Sequence, residues 1–175
     1  MKKKIILIIA ASVIVAILIT LLIFRDDLIT QRADLSGLET IRNPAYLAKG
    51  PVILFDEGHG NFHTMGGRYK PFVLLLTADG YRFQPLSEAI DASRLQAADV
   101  LVIANPSDPL KQLEIDALVD WIKGGKSLLL ISDHPPFASP LQELCNRLEV
   151  KLNGMWTADP DQEEPDAPGP TWIRY

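Results

Sequence analysis

The sequence predicts an α/β fold, a parallel β-sheet with helices on both faces. Three observations predict it. Short apolar runs at 52–55 (VILF), 100–104 (VLVIA) and 127–131 (SLLLI) each end in a turn signal, as strands buried on both faces do. Between them, apolar residues recur at helical spacing, most clearly at Tyr69, Phe72, Val73 and Leu76. Strand and helix patterns alternate along the chain, which is how a parallel sheet is written in sequence.

The chain has 175 residues, enough for one domain of ordinary size. Residues 1–4 are a basic N-terminus, with Lys2, Lys3 and Lys4. Residues 5–24 are apolar apart from Ser12 and Thr20, the length and composition of a membrane-spanning helix. The lysines before it predict a cytoplasmic N-terminus and an extracytoplasmic C-terminal domain. The rival is a cleaved signal peptide, which would have a shorter core and small residues near its end. The bulky stretch 19–24, followed at once by Arg25-Asp26-Asp27, favours the uncleaved, single-pass anchor. Removing Lys2, Lys3, Lys4 and Arg25 from the 17 basic side chains leaves 13 against 22 acidic ones, a balance of −9. Such a domain is a poor partner for nucleic acid. Cys145 is the only cysteine, which excludes an internal disulfide and a cysteine-based zinc cluster.

Residues 25–50 read as a stalk, with Tyr46-Leu47 placed to dock on the first strand. That strand, 52–55, runs into Asp56-Glu57-Gly58-His59-Gly60-Asn61 and a loop to Gly67. The helix of Tyr69, Phe72, Val73 and Leu76 follows, with Pro71 in its first turn and Asp79-Gly80 at its end. Residues 81–85 read as the second strand and 87–98 as a short helix with Ile90 and Leu95 inward. After strand 100–104, Ser107 or Asp108 is the expected cap of a helix whose apolar face is Leu110, Leu113, Ala117, Leu118, Trp121 and Ile122. Strand 127–131 leads to Asp133-His134-Pro135-Pro136, then to a helix over 140–148 with Leu141, Leu144, Cys145 and Leu148 inward. Residues 150–152 are a candidate last short strand. The domain therefore covers 51–152. Residues 153–175 are an acidic, proline-rich loop and C-terminus, which stops where a fragment would.

The expected strand order is 2-1-3-4, the three-layer flavodoxin-like arrangement, with its switch point between strands one and three. That order brings the polar residues after strands one, three and four to one edge of the sheet. There lie the candidate catalytic residues Asp56, Glu57, His59, Asp133 and His134. The candidate ligand-binding residues are Gly58, Gly60, Asn61, His63, Arg68 and Asn105, since a glycine-rich turn before a helix N-terminus favours an anion.

FDEGHGNFHT with GGRYKPF, DGY at 79–81, DVLVIANP at 99–106 and GGKSLLLISDHPPF at 124–137 carry a resemblance. The domain resembles an uncharacterised family of bacterial membrane-anchored proteins with a class I glutamine-amidotransferase-like domain. The resemblance implies the fold and the anchor but no activity. True amidotransferases place a nucleophilic cysteine after the strand that corresponds to 127–131, where this chain has Asp133-His134-Pro135. Cys145 falls later, at apolar helical spacing, as a small core residue does. Without a thiolate nucleophile the thioester route is closed.

Three readings follow. The first is non-catalytic binding of a small ligand or a protein at the strand ends. The second is a zinc hydrolase with Asp56, His59 and His134 as ligands, and with His63 and Asp133 near them. VILFDEGHG is similar to the Asp-Pro-Gly-His-Gly start of the zinc amidases that trim cell-wall peptides; Glu88 is the only carboxylate near where their glutamate ligand falls. The third is a scaffold in an envelope assembly such as a transporter, with Trp156 and Trp172 as a contact patch. Opposed to the site readings is a structural one, in which histidine–carboxylate hydrogen bonds pin the loops together.

Overall fold

The computed structural model describes residues 12–20 and 33–155. Residues 12–20 are helical, with their apolar side chains half-exposed. Among the described residues no helix is long and apolar enough to cross a membrane. The remainder of the predicted span, residues 5–11 and 21–24, lies outside them, as do Trp156, Trp172 and the acidic tail.

The domain runs β1 (Val52–Asp56), α1 (Lys70–Ala78), β2 (Arg82–Leu86), α2 (Ala92–Leu95), β3 (Val100–Ala104), α3 (Gln112–Lys123), β4 (Ser127–Ile131) and α4 (Gln142–Arg147). The four strands form one parallel sheet in the order β2-β1-β3-β4, as the sequence predicts. Successive side chains of a strand point to opposite faces. Leu54, Leu101 and Ile103 therefore join one core with Leu95 near α2, Ile115 and Leu118 of α3, and Leu144 and Cys145 of α4. Ile53, Phe55, Val102 and Ala104 meet Tyr69 and Leu76 at α1 on the other face. Three helices thus cover one face and a single helix the other, in three layers.

Several local expectations change. Residues 150–152 form no strand. The helix expected over 87–98 shrinks to four residues, capped by Asp91, whose side chain accepts from the Arg94 N–H. Neither Ser107 nor Asp108 caps α3. Their N–H groups both donate to the His59 carbonyl at 3.0 Å, so that stretch is committed to the β1 loop and the helix starts only at Gln112. The inward face of α3 is also rotated from the expected one. Leu113 is 82% exposed, whereas Glu114, Ile115, Leu118 and Val119 are buried.

Residues 45 and 46 join the domain at the end opposite the β1 loop. Ala45 N–H donates to Asp79 Oδ1 (2.7 Å) and Tyr46 N–H to the Asp79 carbonyl (3.1 Å), while the Tyr46 and Tyr81 rings meet edge to face at 5.1 Å. Gly80, at φ 96°, is required there: a Cβ on it would lie 2.0 Å from the Tyr46 carbonyl oxygen. Tyr46 thus docks on the α1–β2 turn rather than on β1, and Leu47 is 92% exposed.

Candidate functional site

The sequence after β1 is short of room and rich in hydrogen-bonding groups, and the fold settles it around one histidine. Asp56, the last residue of β1, is fully buried, and His59 is 6% exposed. His59 Nδ1 lies 2.8 Å from Asp56 Oδ1, and Nε2 lies 3.1 Å from Oε1 of Glu114 in the first turn of α3. Both ring nitrogens are therefore engaged by buried carboxylates. The bond to Asp56 raises the His59 pKa, burial opposes it, and the charges of Asp56 and Glu114 add to the rise. A protonated ring suits this position, because only the imidazolium can donate from both nitrogens.

The two carboxylates are themselves held. Asp56 Oδ2 accepts from Asn61 Nδ2 at 2.9 Å, and Asn61 Oδ1 accepts from the His59 N–H at 3.0 Å. Glu114 Oε1 accepts from the Ile90 N–H at 2.9 Å, and Oε2 from the Lys111 N–H at 2.8 Å. Burial pushes Glu114 up. The two backbone hydrogen bonds and His59 outweigh that and hold it below its ordinary value. The constellation ties the β1 loop, the segment after β2 and the start of α3 into one brace. Gly58 belongs to the same packing, since a Cβ on it would lie 2.9 Å from the Glu88 carbonyl oxygen. The Glu88 carboxylate itself is 68% exposed and lies 3.9 Å from Arg94 Nε. Glu57, next to Asp56, points its Oε1 at the Met65 N–H (2.8 Å) and closes the loop.

Asn105 joins three strand ends. Its side-chain oxygen accepts from the Asp133 N–H at 3.0 Å, its carbonyl from the Phe62 N–H at 3.1 Å, and its own N–H donates to the Ile131 carbonyl at 3.0 Å. It is 2% exposed and sits at φ 45°, a left-handed conformation that asparagine tolerates better than most residues. Asp133 and His134 lie on the rim, with side chains 55% and 31% exposed. His134 Nδ1 donates to the Pro135 carbonyl at 2.7 Å, and its Nε2 is 3.9 Å from Asp133 Oδ2.

His63 is the other buried histidine, 9% exposed, and its Nδ1 is buried without a hydrogen-bond partner among the described residues. Burial lowers its pKa, the nearby Arg68 lowers it further, and Asp133 opposes both. Its ring is part of an aromatic row over the strand ends. His134 meets Phe137 at 5.8 Å, Phe137 meets Phe62 at 5.6 Å, Phe62 meets His63 at 4.7 Å, and His63 meets Tyr69 at 5.8 Å.

The strand ends thus assemble Asp56, His59 and Asn61 around one buried cluster and bring the buried His63 and Asn105 near the exposed Asp133. The sequence reading missed Glu114, Phe62 and Phe137. Glu114 carries no local signal, for its partner is 55 residues away. The two phenylalanines each lie close to a loop histidine, in NFHT and DHPPF, and that shared composition was the available hint. Among the described residues, no group of three or more His, Cys, Asp or Glu side chains is arranged to hold a metal ion. Zinc on His59 would require breaking its bond to Asp56 or to Glu114. Cys145 is fully buried in the core, and burial pushes its thiol pKa up. A groove of about 620 Å³ lies elsewhere, between α2 and the C-terminal half of α3, lined by Ala92, Gln96, Trp121 and Lys126 among others.

No family model matches the chain, and no curated protein does. Among solved structures it is similar to one described as "mmIFT52 N-terminal domain", at 18% identity and a TM-score of 0.46. The likeness covers 51% of this chain and 46% of that one, so the chain spans less than half of the length of the structure it matches.

Proposed function

We propose that this chain is a membrane-anchored, extracytoplasmic protein whose amidotransferase-like domain binds a small ligand or a protein partner at the C-terminal strand ends without catalysing a reaction. One observation carries the reading. His59, the group best placed for acid–base or metal chemistry, has both ring nitrogens taken up by the buried carboxylates Asp56 and Glu114. A general base needs a nitrogen that can reach a substrate proton. A zinc ligand needs a lone pair that is not already engaged. The brace instead gives the loops above it a fixed shape, which is what a binding surface requires. The rim of the exposed Arg68 and Asp133 and the half-buried His134 and Phe137 is then the surface presented. The apolar residues 5–24, and the resemblance to a membrane-anchored family, support the tether; an envelope complex such as a transporter is the setting that suits it.

The test is metal content and zinc titration of the full chain in detergent micelles, with His59→Ala and His134→Ala beside the wild type. The expected result is no stoichiometric zinc and no cleavage of peptide amides, with His59→Ala markedly less stable and His134→Ala folded as well as the wild type. Stoichiometric zinc that is lost in both variants would overturn the reading and make Asp56, His59 and His134 the centre of a hydrolase.

A further inference from the structure

The sheet has two edges, and the chain protects only one of them. Along a strand, the N–H and C=O groups of successive residues point to opposite sides. In β2 the Arg82 N–H donates to the Pro51 carbonyl at 3.0 Å, and the Leu86 carbonyl accepts from the Glu57 N–H at 2.9 Å. Phe83 and Pro85 therefore turn their backbones outward. Pro85 has no N–H to offer, and Arg82 puts a charge on the strand, two of the ways an edge is kept from pairing. In β4 the Ser127 N–H donates to the Asp99 carbonyl at 3.2 Å, and the Ile131 carbonyl accepts from the Asn105 N–H at 3.0 Å. Leu128 and Leu130 therefore turn their N–H and C=O groups outward. No proline, glycine or charge interrupts this strand. Among the described residues no strand pairs with its outer side, and residues 150–152 form none there. Leu129 lies between the two outward residues. Its register partner Val102 faces α1, yet Leu129 itself joins neither core and is 40% exposed.

We infer that β4 pairs with β4 of a second copy of this chain, antiparallel and about a two-fold axis at Leu129, so that one sheet runs through both copies. The edge is complementary to itself, as a two-fold contact requires. Centring on Leu129 sets Leu128 of each copy opposite Leu130 of the other, and these are the residues whose backbone groups face outward. Each such pair exchanges both of its N–H···O=C bonds. The same register brings the two Leu129 side chains together as the close, non-hydrogen-bonded pair, with Cα atoms ~4.5 Å apart, on the face that α1 leaves open at β4. The exposed leucine is thereby covered by its own copy. Charge agrees with the direction. Lys123 and Lys126 precede β4 and the exposed Asp133 follows it, so the antiparallel arrangement sets the basic end of one copy beside the acidic end of the other. The inference goes beyond the strand-end reading and holds whether or not a ligand binds there.

The test is the protein mass of the full chain in detergent micelles, read by light scattering over a wide range of concentration. The expected result is a dimer that dissociates on dilution. In the dimer the Leu128 and Leu130 amides exchange with solvent about tenfold more slowly than in the dilute monomer. Leu129→Lys and Leu129→Glu each weaken the dimer about tenfold, because like charges then meet at the two-fold axis. An equimolar mixture of the two variants restores it, which only a direct contact between the two positions 129 does. Leu113→Lys, at an exposed leucine on α3, leaves the dimer intact. Circular dichroism checks that each variant is folded. A monomer at every concentration overturns the inference, whether its Leu128 and Leu130 amides exchange fast or are protected by another part of the same chain. So does a dimer that survives both charge changes, since another surface then holds it. A mixture of the two variants that associates no better than either alone overturns it as well.

Discussion

His59 and His63 lie four residues apart in one loop, both buried, and the fold treats them oppositely. His59 is clamped between Asp56 and Glu114, and its pKa is raised. His63 sits among Phe62 and Tyr69 with Nδ1 unpaired among the described residues, and its pKa is lowered. Burial lowers both rings. What separates them is whether a buried carboxylate answers it. The contrast teaches that the same residue type, at similar exposure, is a structural pin in one place and an open valence in the other.

The strongest way to break the contrast is to remove the pin. His59→Ala leaves Asp56 and Glu114 as buried, uncompensated carboxylates, and the expected loss is ~3 kcal/mol or more of unfolding free energy, read by urea denaturation. A loss below about 1 kcal/mol would mean that water or a shift of α3 replaces the ring.

Next comes pH. His59 is raised in the folded state, so the native protein binds the extra proton above 6.5. Its stabilisation is complete below pH 6.5 and is lost as pH rises through the folded pKa. His63 is lowered, so the unfolded chain binds the extra proton. Stability therefore falls as pH drops from 6.5 toward the folded pKa of His63. Between them the two rings put their joint optimum near pH 6.5. Urea midpoints measured across pH check this: His63→Phe should flatten the acid limb and leave the alkaline limb in place.

The smallest effect sharpens the comparison. His63→Phe removes an unsatisfied nitrogen from an aromatic setting, so it should be neutral or stabilising by about 1 kcal/mol without any ligand, the reverse of His59→Ala. A loss of stability would show that Nδ1 has an essential partner in the free protein.

The sheet was legible because its information is local and periodic. Strands 100–104 and 127–131 are bounded where the sequence places them, β1 runs one residue longer, and β2 is shifted by one residue at both ends. Alternation of strand and helix predicts a parallel sheet, and the flavodoxin-like arrangement of such sheets predicts the order 2-1-3-4 that is observed. The face of α3 was not legible. Periodicity treats Leu113 as apolar and Glu114 as polar, yet the first is exposed and the second buried. Glu114 is inside because three donors from three segments, Ile90, Lys111 and His59, converge on it. Such a convergence is a property of the fold and leaves no trace in spacing. For the same reason His59 and Asp56 were recognisable as site residues, while the partner that decides what His59 does was not.

The junction ahead of β1 has a mechanical consequence. Tyr46 locks on Gly80 at the end of the domain opposite the strand-end loops, and the chain then enters β1 directly. β1 is an interior strand, hydrogen-bonded to β2 on one side and β3 on the other. Tension on the N-terminal segment therefore runs along β1 and loads two parallel ladders in shear, rather than peeling an edge strand bond by bond. The loops stand about 16 Å further on, one strand length away from the point of attachment. A pull on the segment that leads into β1 would meet the interior of the sheet, and the strand-end loops lie at the other end of the domain from that segment.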